Sequence, residues 1–181
     1  RQGLAERGAL LAPRVATTGT LMQMDGVAAD SLEVLAWTEA LESVNDWEDY
    51  KAIFPESPES DGAGWALGLA KSFFEVRKSL QENGLMVGEA ARRVRVLEQD
   101  RWEQLARLER EVENHLESWG CESKSARLAA GDIEIPEGVS RGVVAGVLDL
   151  PPVLTRFFEK NEIMVNVLVP DPRRHGLHSS R

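Results

Sequence analysis

From about Glu98 to Trp119, apolar side chains recur at Trp102, Leu105, Leu108, Val112, Leu116 and Trp119, in steps of three and four that run without a break to Gly120. Residues so spaced fall on one face of an α-helix, and an apolar face of that length has to be covered by other elements. The chain is therefore expected to pack around one long amphipathic helix ended by Gly120. Glu103 and Arg107 stand on it at the acid-before-base spacing of four that supports a helix.

The same period returns twice upstream. Val34, Trp37, Leu41 and Val44 form a stripe behind Asp30 or Ser31 as N-cap. Trp65, Leu69, Phe73, Val76 and Leu80 form another, which ends at Asn83-Gly84, a pair suited to a left-handed helix terminus. Phe54 to Gly62, crowded with prolines and turn-formers, reads as a surface loop between them. A shorter amphipathic piece covers Val87 to Val96, and a brief helix is expected from Ser123 to Ala130, before the loop marked by Gly131, Pro136 and Gly138.

The two ends of the chain have a different character. Ala9 to Thr17 is a short apolar run between Gly8 and the Thr17-Thr18-Gly19-Thr20 cluster, as in a strand or extended segment entering a turn. Near the other end, Val143 to Val147 is rich in β-branched residues, and Asp149, Pro151 and Pro152 open a helix whose apolar face is Val153, Leu154, Phe157 and Phe158. Ile163 to Val169 reads as a second strand, closed by Pro170. Strand, helix, strand makes one parallel crossover unit, and two strands alone cannot bury both their faces, so further strands or a helical layer are expected to cover them. The expected fold is mainly α with a small parallel α/β part, in stretches 1–24, 25–138 and 139–181.

Charge narrows the function. Thirty acidic against 21 basic residues leave a formal net charge of -9, which repels phosphate backbones over most of the surface. One cysteine among 181 residues excludes an internal disulfide and a zinc cage. With no run of apolar residues long enough for a membrane span and no basic-then-apolar N-terminus, neither a transmembrane helix nor a signal peptide is expected, and the chain reads as cytoplasmic. It begins at Arg1 rather than Met and stops in a polar tail, Arg173 to Arg181, as a piece of a longer protein would.

Few residues carry chemistry. Gly62-Ala63-Gly64 follows a polar loop rather than a strand and has no Lys-Ser/Thr pair after it, so it reads as loop, not phosphate cradle. His115, His175 and His178 join no carboxylate or cysteine at ligand spacing, so no metal site is expected. Cys121 follows a helix C-terminus, the wrong end of the dipole for a thiolate, and reads as an ordinary partly buried thiol. Glu109, Glu111, Glu113 and Glu117, interspersed with Arg107 and Arg110, read as a solvated helix face. Arg92, Arg93 and Arg95 are the feature suited to phosphate contact. Trp37, Trp65, Trp102 and Trp119 fall on apolar stripes and belong to the core, which leaves Trp47, among Asn45, Asp46, Glu48 and Asp49, as the candidate for exposure.

The terminal unit resembles the region of superfamily I helicases in which a strand ends in the Walker B carboxylates. Against the helicase pattern Val-Asp-Glu-hydrophobic-Gln-Asp the chain reads Val144-Ala145-Gly146-Val147-Leu148-Asp149, with Ala145 and Gly146 in place of the first two acids. In a working motor one of those acids holds magnesium on the nucleotide and the other positions the attacking water, which a methyl group and a hydrogen cannot do. Asp149 remains, with an N-cap as its structural task.

An inactive module of this kind resembles the AddB subunit family of ATP-dependent double-strand-break repair nucleases, and more broadly helicase-like proteins bearing a C-terminal PD-(D/E)XK nuclease. The stretches that carry the resemblance are Ala9 to Leu21, Arg101 to Glu109, and Val143 to Pro152 leading into Val165 to Pro170. It implies a connection to a P-loop-NTPase-like core over 1–24, a helical insertion of the kind called 1B over 25–138, and a β-α-β return to that core over 139–181. The family's Walker A region would lie upstream and its nuclease motif downstream, so the resemblance places no catalytic residue, metal or cofactor in this stretch. It implies a non-catalytic scaffold for DNA-strand passage and subunit contact, with DNA and an AddA-like motor subunit as partners and no membrane. Arg14, Thr17 and Thr18, which follow the first expected strand, join Arg92, Arg93 and Arg95 as candidates for DNA-backbone contact. Two other classes fit the same residues. A helical protein-interaction module with an acidic surface would show a large exposed apolar patch. A small α/β enzyme would place its pocket near Leu148, Asp149 and Pro170, although no nucleophile or base is apparent there.

Overall fold

The computed structural model describes residues 15–17, 21, 24–58, 64–133, 139, 141–146 and 150–168. Its elements are helix α1 (Asp30–Glu42), a 3-10 turn (Trp47–Tyr50), α2 (Trp65–Gln81), α3 (Val87–Ala91), α4 (Val96–Ser118), α5 (Lys124–Ala130), strand β1 (Arg141–Ala145), α6 (Pro152–Lys160) and strand β2 (Met164–Leu168). The chain is mainly helical with a small two-stranded parallel sheet.

The long helix predicted from its apolar stripe is α4, and α1 packs against both it and α2, while α3 packs on α4. Leu105, Leu108, Val112 and Leu116 are buried in one core with Trp37 and Leu41 of α1 and Phe74 of α2. Glycines end the helices as expected. Gly84 takes φ +61°, which lets the Leu85 N–H reach the Leu80 carbonyl at 3.1 Å. Gly120 does the same for α4 at φ +73°, with the Cys121 N–H on the Leu116 carbonyl at 2.9 Å.

Other expectations shift. The buried face of α2 is Ala66, Ala70, Phe74, Arg77 and Gln81; Trp65, Leu69, Phe73 and Leu80 flank it half-buried and Val76 is exposed. Apolar periodicity finds the flanks because the centre of the face holds two polar residues, Arg77 and Gln81. The N-cap of α1 is Ala29 with no side-chain cap bond; Asp30 is the first helical residue, where its charge still complements the helix dipole. Arg107 makes no pair with Glu103: it donates to the Asp49 carbonyl and lies 5.6 Å over the Tyr50 ring, while Glu103 accepts from Gln99 at 2.7 Å. Trp47 is half-buried, in edge contact with Phe54 at 5.1 Å and Trp65 at 5.7 Å. Trp119, by contrast, is the C-cap of α4 and exposed.

A second core takes Met24, Leu128 of α5, Ile133, and Val153, Leu154 and Phe157 of α6, and so draws on all three stretches of the chain. The Val153 N–H donates to the Glu82 carbonyl at 3.1 Å and Arg156 to the Asn83 carbonyl, which pins α6 to the end of α2. The crossover carries β1 parallel to β2, from Arg141 opposite Met164 to Ala145 opposite Leu168. Alternation puts Val143, Met164 and Leu168 on an exposed face, and Gly142, Val144 and Val165 half-buried on the other, where Val167 is again exposed. The N-cap of α6 falls on Pro151 rather than Asp149. Val15 to Thr17 has no regular secondary structure, and the rest of the expected first strand lies outside the described residues. No described helix is long and apolar enough to cross a membrane.

Candidate functional site

Parallel strands present ligands at their carboxyl ends, so the end of β1 is the first place to look for chemistry. Ala145 is the last residue of that strand, level with Leu168, and exposed. Gly146 bends the chain away at φ +71°, and a Cβ built on it would meet nothing within 4 Å. At these two positions the tip offers a methyl group and a hydrogen in open space, with no oxygen to ligate a cation or orient a water. Asp149, the third position of the expected Walker B resemblance, lies outside the described residues, as do Leu148 and Pro170 of the enzyme alternative. Of the residues after the first expected strand, Arg14 and Thr18 also lie outside them; Thr17 is exposed, its carbonyl accepting from the Leu21 N–H at 3.0 Å. Among the described residues no group of three or more His, Cys, Asp or Glu is placed to hold a metal.

The three arginines singled out by sequence do share one place. Arg92 is the C-cap of α3 and Arg95 the N-cap of α4, and with Arg93 all three are exposed. Their side chains make no hydrogen bond or ion pair among the described residues. Helix α4 begins at Val96, two residues before its expected start, so Val96 and Leu97 extend the same turn, 83% and 94% exposed. Behind them a groove of about 360 Å³ runs between α3 and α4, lined by Gly88, Ala91 and Ala106, by Arg92, Arg107 and Arg110, and by Gln99 and Glu103.

The densest electrostatic arrangement was not visible in the hydrophobic pattern. Arg77 of α2 is 0% exposed and lies within ion-pair distance of Glu33 (3.6 Å), Glu109 (3.4 Å) and Glu113, and it donates to the Ser123 hydroxyl at 2.9 Å. Glu33, 2% exposed, also accepts from the Lys124 N–H at 3.1 Å, while Glu109, 4% exposed, accepts from the N–H groups of Val87 and Gly88 at 3.1 and 3.3 Å. The acidic face of α4 is thus split: Glu111 and Glu117 are solvated as expected, but Glu109 is buried and Glu113 half-buried. One guanidinium faces three carboxylates, so burial outweighs the attraction of Arg77 and holds Glu33 and Glu109 above the ordinary carboxylate range. Every member is engaged with protein groups, and the cluster ties α1, α2 and α4 to the starts of α3 and α5. Its chemistry is that of a structural lock. The signal in the sequence was position: Glu109 falls between Leu108 and Val112 on the apolar stripe, Glu33 four residues before Trp37, and Arg77 four after Phe73.

Cys121 is half-buried against the helical core, and its thiol makes a long contact with the Trp119 carbonyl, 3.8 Å. His115 lies 5.9 Å from the Trp119 ring. Comparison with protein-family models, with curated proteins and with solved structures found no match to this chain.

Proposed function

We propose that the chain is a non-catalytic, helicase-like scaffold of the kind found in AddB-type helicase-nucleases of double-strand-break repair: a helical block carried on a relic of a motor's nucleotide-binding sheet, lining the path of a DNA strand and meeting a motor subunit. The observation that carries this reading is the β1-α6-β2 crossover with Ala145 and Gly146 at its carboxyl tip. In a motor that tip bears the acids that grip magnesium and orient water for phosphoryl transfer. Without them a parallel unit of this kind lacks that chemistry, which leaves positioning as the proposed task.

Two further features support the proposal. The exposed face of the sheet carries Val143, Met164 and Leu168, as befits strands that belong to a larger assembly. The net charge of -9 restricts DNA contact to a few places; the candidates for it are Arg14, Thr17 and Thr18, beyond the first expected strand, and Arg92, Arg93 and Arg95.

The test is the coding sequence on either side. A glycine-rich phosphate-binding motif upstream and a nuclease motif downstream are expected; a start codon directly before Arg1 and a stop after Arg181 would remove the family. The non-catalytic part is tested separately: magnesium-dependent ATP hydrolysis by the chain that disappears in Asp149→Ala would overturn it.

A further inference from the structure

We propose that the turn between α3 and α4, with the groove behind it, is a docking site for a short acidic segment of a partner protein that carries apolar side chains between its acids. The proposal stands on the helical block alone, so it survives or fails independently of the reading of the β1 tip.

Three observations converge on it. First, in a chain of net charge -9, the arginines 92, 93 and 95 lie within four positions and none has its charge matched among the described residues. Unpaired guanidinium groups are strong, directional binders of carboxylates. Second, Val96 and Leu97 stand beside them almost wholly in solvent. Scattered apolar residues on a surface need no explanation, but an adjacent pair at the start of a helix, directly after a cluster of arginines and before Glu98, is the composition of an interface. Third, the groove is floored by Gly88, Ala91 and Ala106, small enough for another backbone to approach closely, and Arg92, Arg107 and Arg110 rim it. Arg92 belongs to both features and makes them one surface.

The charge sign selects the partner's acids, and the apolar pair selects its class. A single strand held through its bases would be met by flat rings on which they stack; the exposed residues here are aliphatic, which would leave such a strand phosphate contact alone. Glu103 in the groove and the acidic surroundings also oppose a long polyphosphate. An anionic lipid surface would be repelled by the same surroundings. A short peptide places its acids on the arginines and its apolar side chains on Val96, Leu97 and the groove floor, and touches little else.

The test uses the complete chain. A displayed library of random peptides is selected on the immobilised protein, and the enriched sequences are synthesised with a fluorophore and titrated by anisotropy against the wild type, against Arg92→Glu/Arg93→Glu/Arg95→Glu, and against Leu97→Ser. Circular dichroism checks that these surface variants keep the wild-type helix content. The expected result is enrichment of peptides that alternate acidic and apolar residues, with affinity that falls about tenfold or more in the triple variant, falls again at high salt, and drops several-fold in Leu97→Ser. Enrichment without acids, no enrichment at all, or affinity unchanged in both variants would overturn the proposal. So would oligothymidylate or phosphatidylserine vesicles binding more tightly than any selected peptide and losing that binding in the triple variant, since the site would then belong to nucleic acid or lipid.

Discussion

Replacing Arg77 by methionine keeps the length of the side chain and deletes the charge that pairs with Glu33, Glu109 and Glu113. Removing one partner from a buried ion pair costs about 3–5 kcal/mol, because the other charge is left without compensation. Here two almost fully buried carboxylates are left, and the Ser123 hydroxyl loses its donor, a further cost of about 1 kcal/mol. The full ionic penalty is not reached, since Glu33 keeps the Lys124 N–H and Glu109 keeps those of Val87 and Gly88. The expected loss is about 4 kcal/mol near neutral pH, a large share of the roughly 5–15 kcal/mol that holds a typical domain together. Urea unfolding followed by tryptophan fluorescence measures it, with fully buried Trp37 as reporter. The loss should shrink in mild acid, as the stranded carboxylates take up protons. The triple variant Glu33→Gln/Arg77→Met/Glu109→Gln, which carries no stranded charge at these positions, should recover most of it. A loss below about 1 kcal/mol near neutral pH, or one equally large in mild acid, would refute the reasoning.

In the wild type, burial holds Glu33 and Glu109 above their ordinary value of 4.5, so the folded chain binds more protons than the unfolded one above that pH; the stability these groups contribute is complete below 4.5 and lost as pH rises through the raised values. The urea midpoint should accordingly fall between mild acid and neutrality, with a flatter profile in Glu109→Gln. Gly120→Ala, whose new Cβ would meet nothing within 4 Å, should cost about 1–2 kcal/mol from the left-handed backbone alone. Gly84→Ala should lower the melting temperature further, because its Cβ would lie 3.3 Å from Val153 Cγ2 and 2.5 Å from Arg156 Nη2. Leu108→Ala and Leu154→Ala should each cost about 2–5 kcal/mol, and because the two residues belong to separate cores the double variant should equal their sum within about 0.5 kcal/mol in urea titrations.

The elements legible in the sequence were those whose signal is local. The stripe of α4 and the glycine stops at Gly84 and Gly120 follow from spacing within a few residues, the parallel pairing of the terminal crossover follows from the order strand, helix, strand, and the structure has each of them. Where the structure differs, packing and backbone geometry decide what residue type alone does not show. Acidic neighbours made Trp47 look solvated, yet the 3-10 turn that begins there sends the ring toward Phe54 and Trp65. The face of α2 was placed on its larger apolar residues, whereas its centre combines alanines with Arg77 and Gln81. Capping was misassigned at α1 and α6 because Asp30 and Asp149 are good cap residues by type, while the caps formed fall on Ala29 and Pro151.

Polarity is inverted in two opposite senses, and the difference separates scaffold from surface. Charges turned inward at Glu33, Arg77 and Glu109 find their ion-pair partners within the chain, so they fix helices relative to one another. Apolar groups turned outward at Val96 and Leu97, and at Val143, Met164 and Leu168, are not enclosed by any described residue. An inward charge left unmatched would cost stability, which explains why carboxylates of α1 and α4 and the Ser123 hydroxyl before α5 converge on a single guanidinium. An outward apolar group costs the isolated chain little but gains when covered. The rigid core therefore holds two surfaces open, a cationic turn at α3–α4 and a strand face at β1–β2, and each should lose solvent exposure only when a second molecule or further strands lie against it.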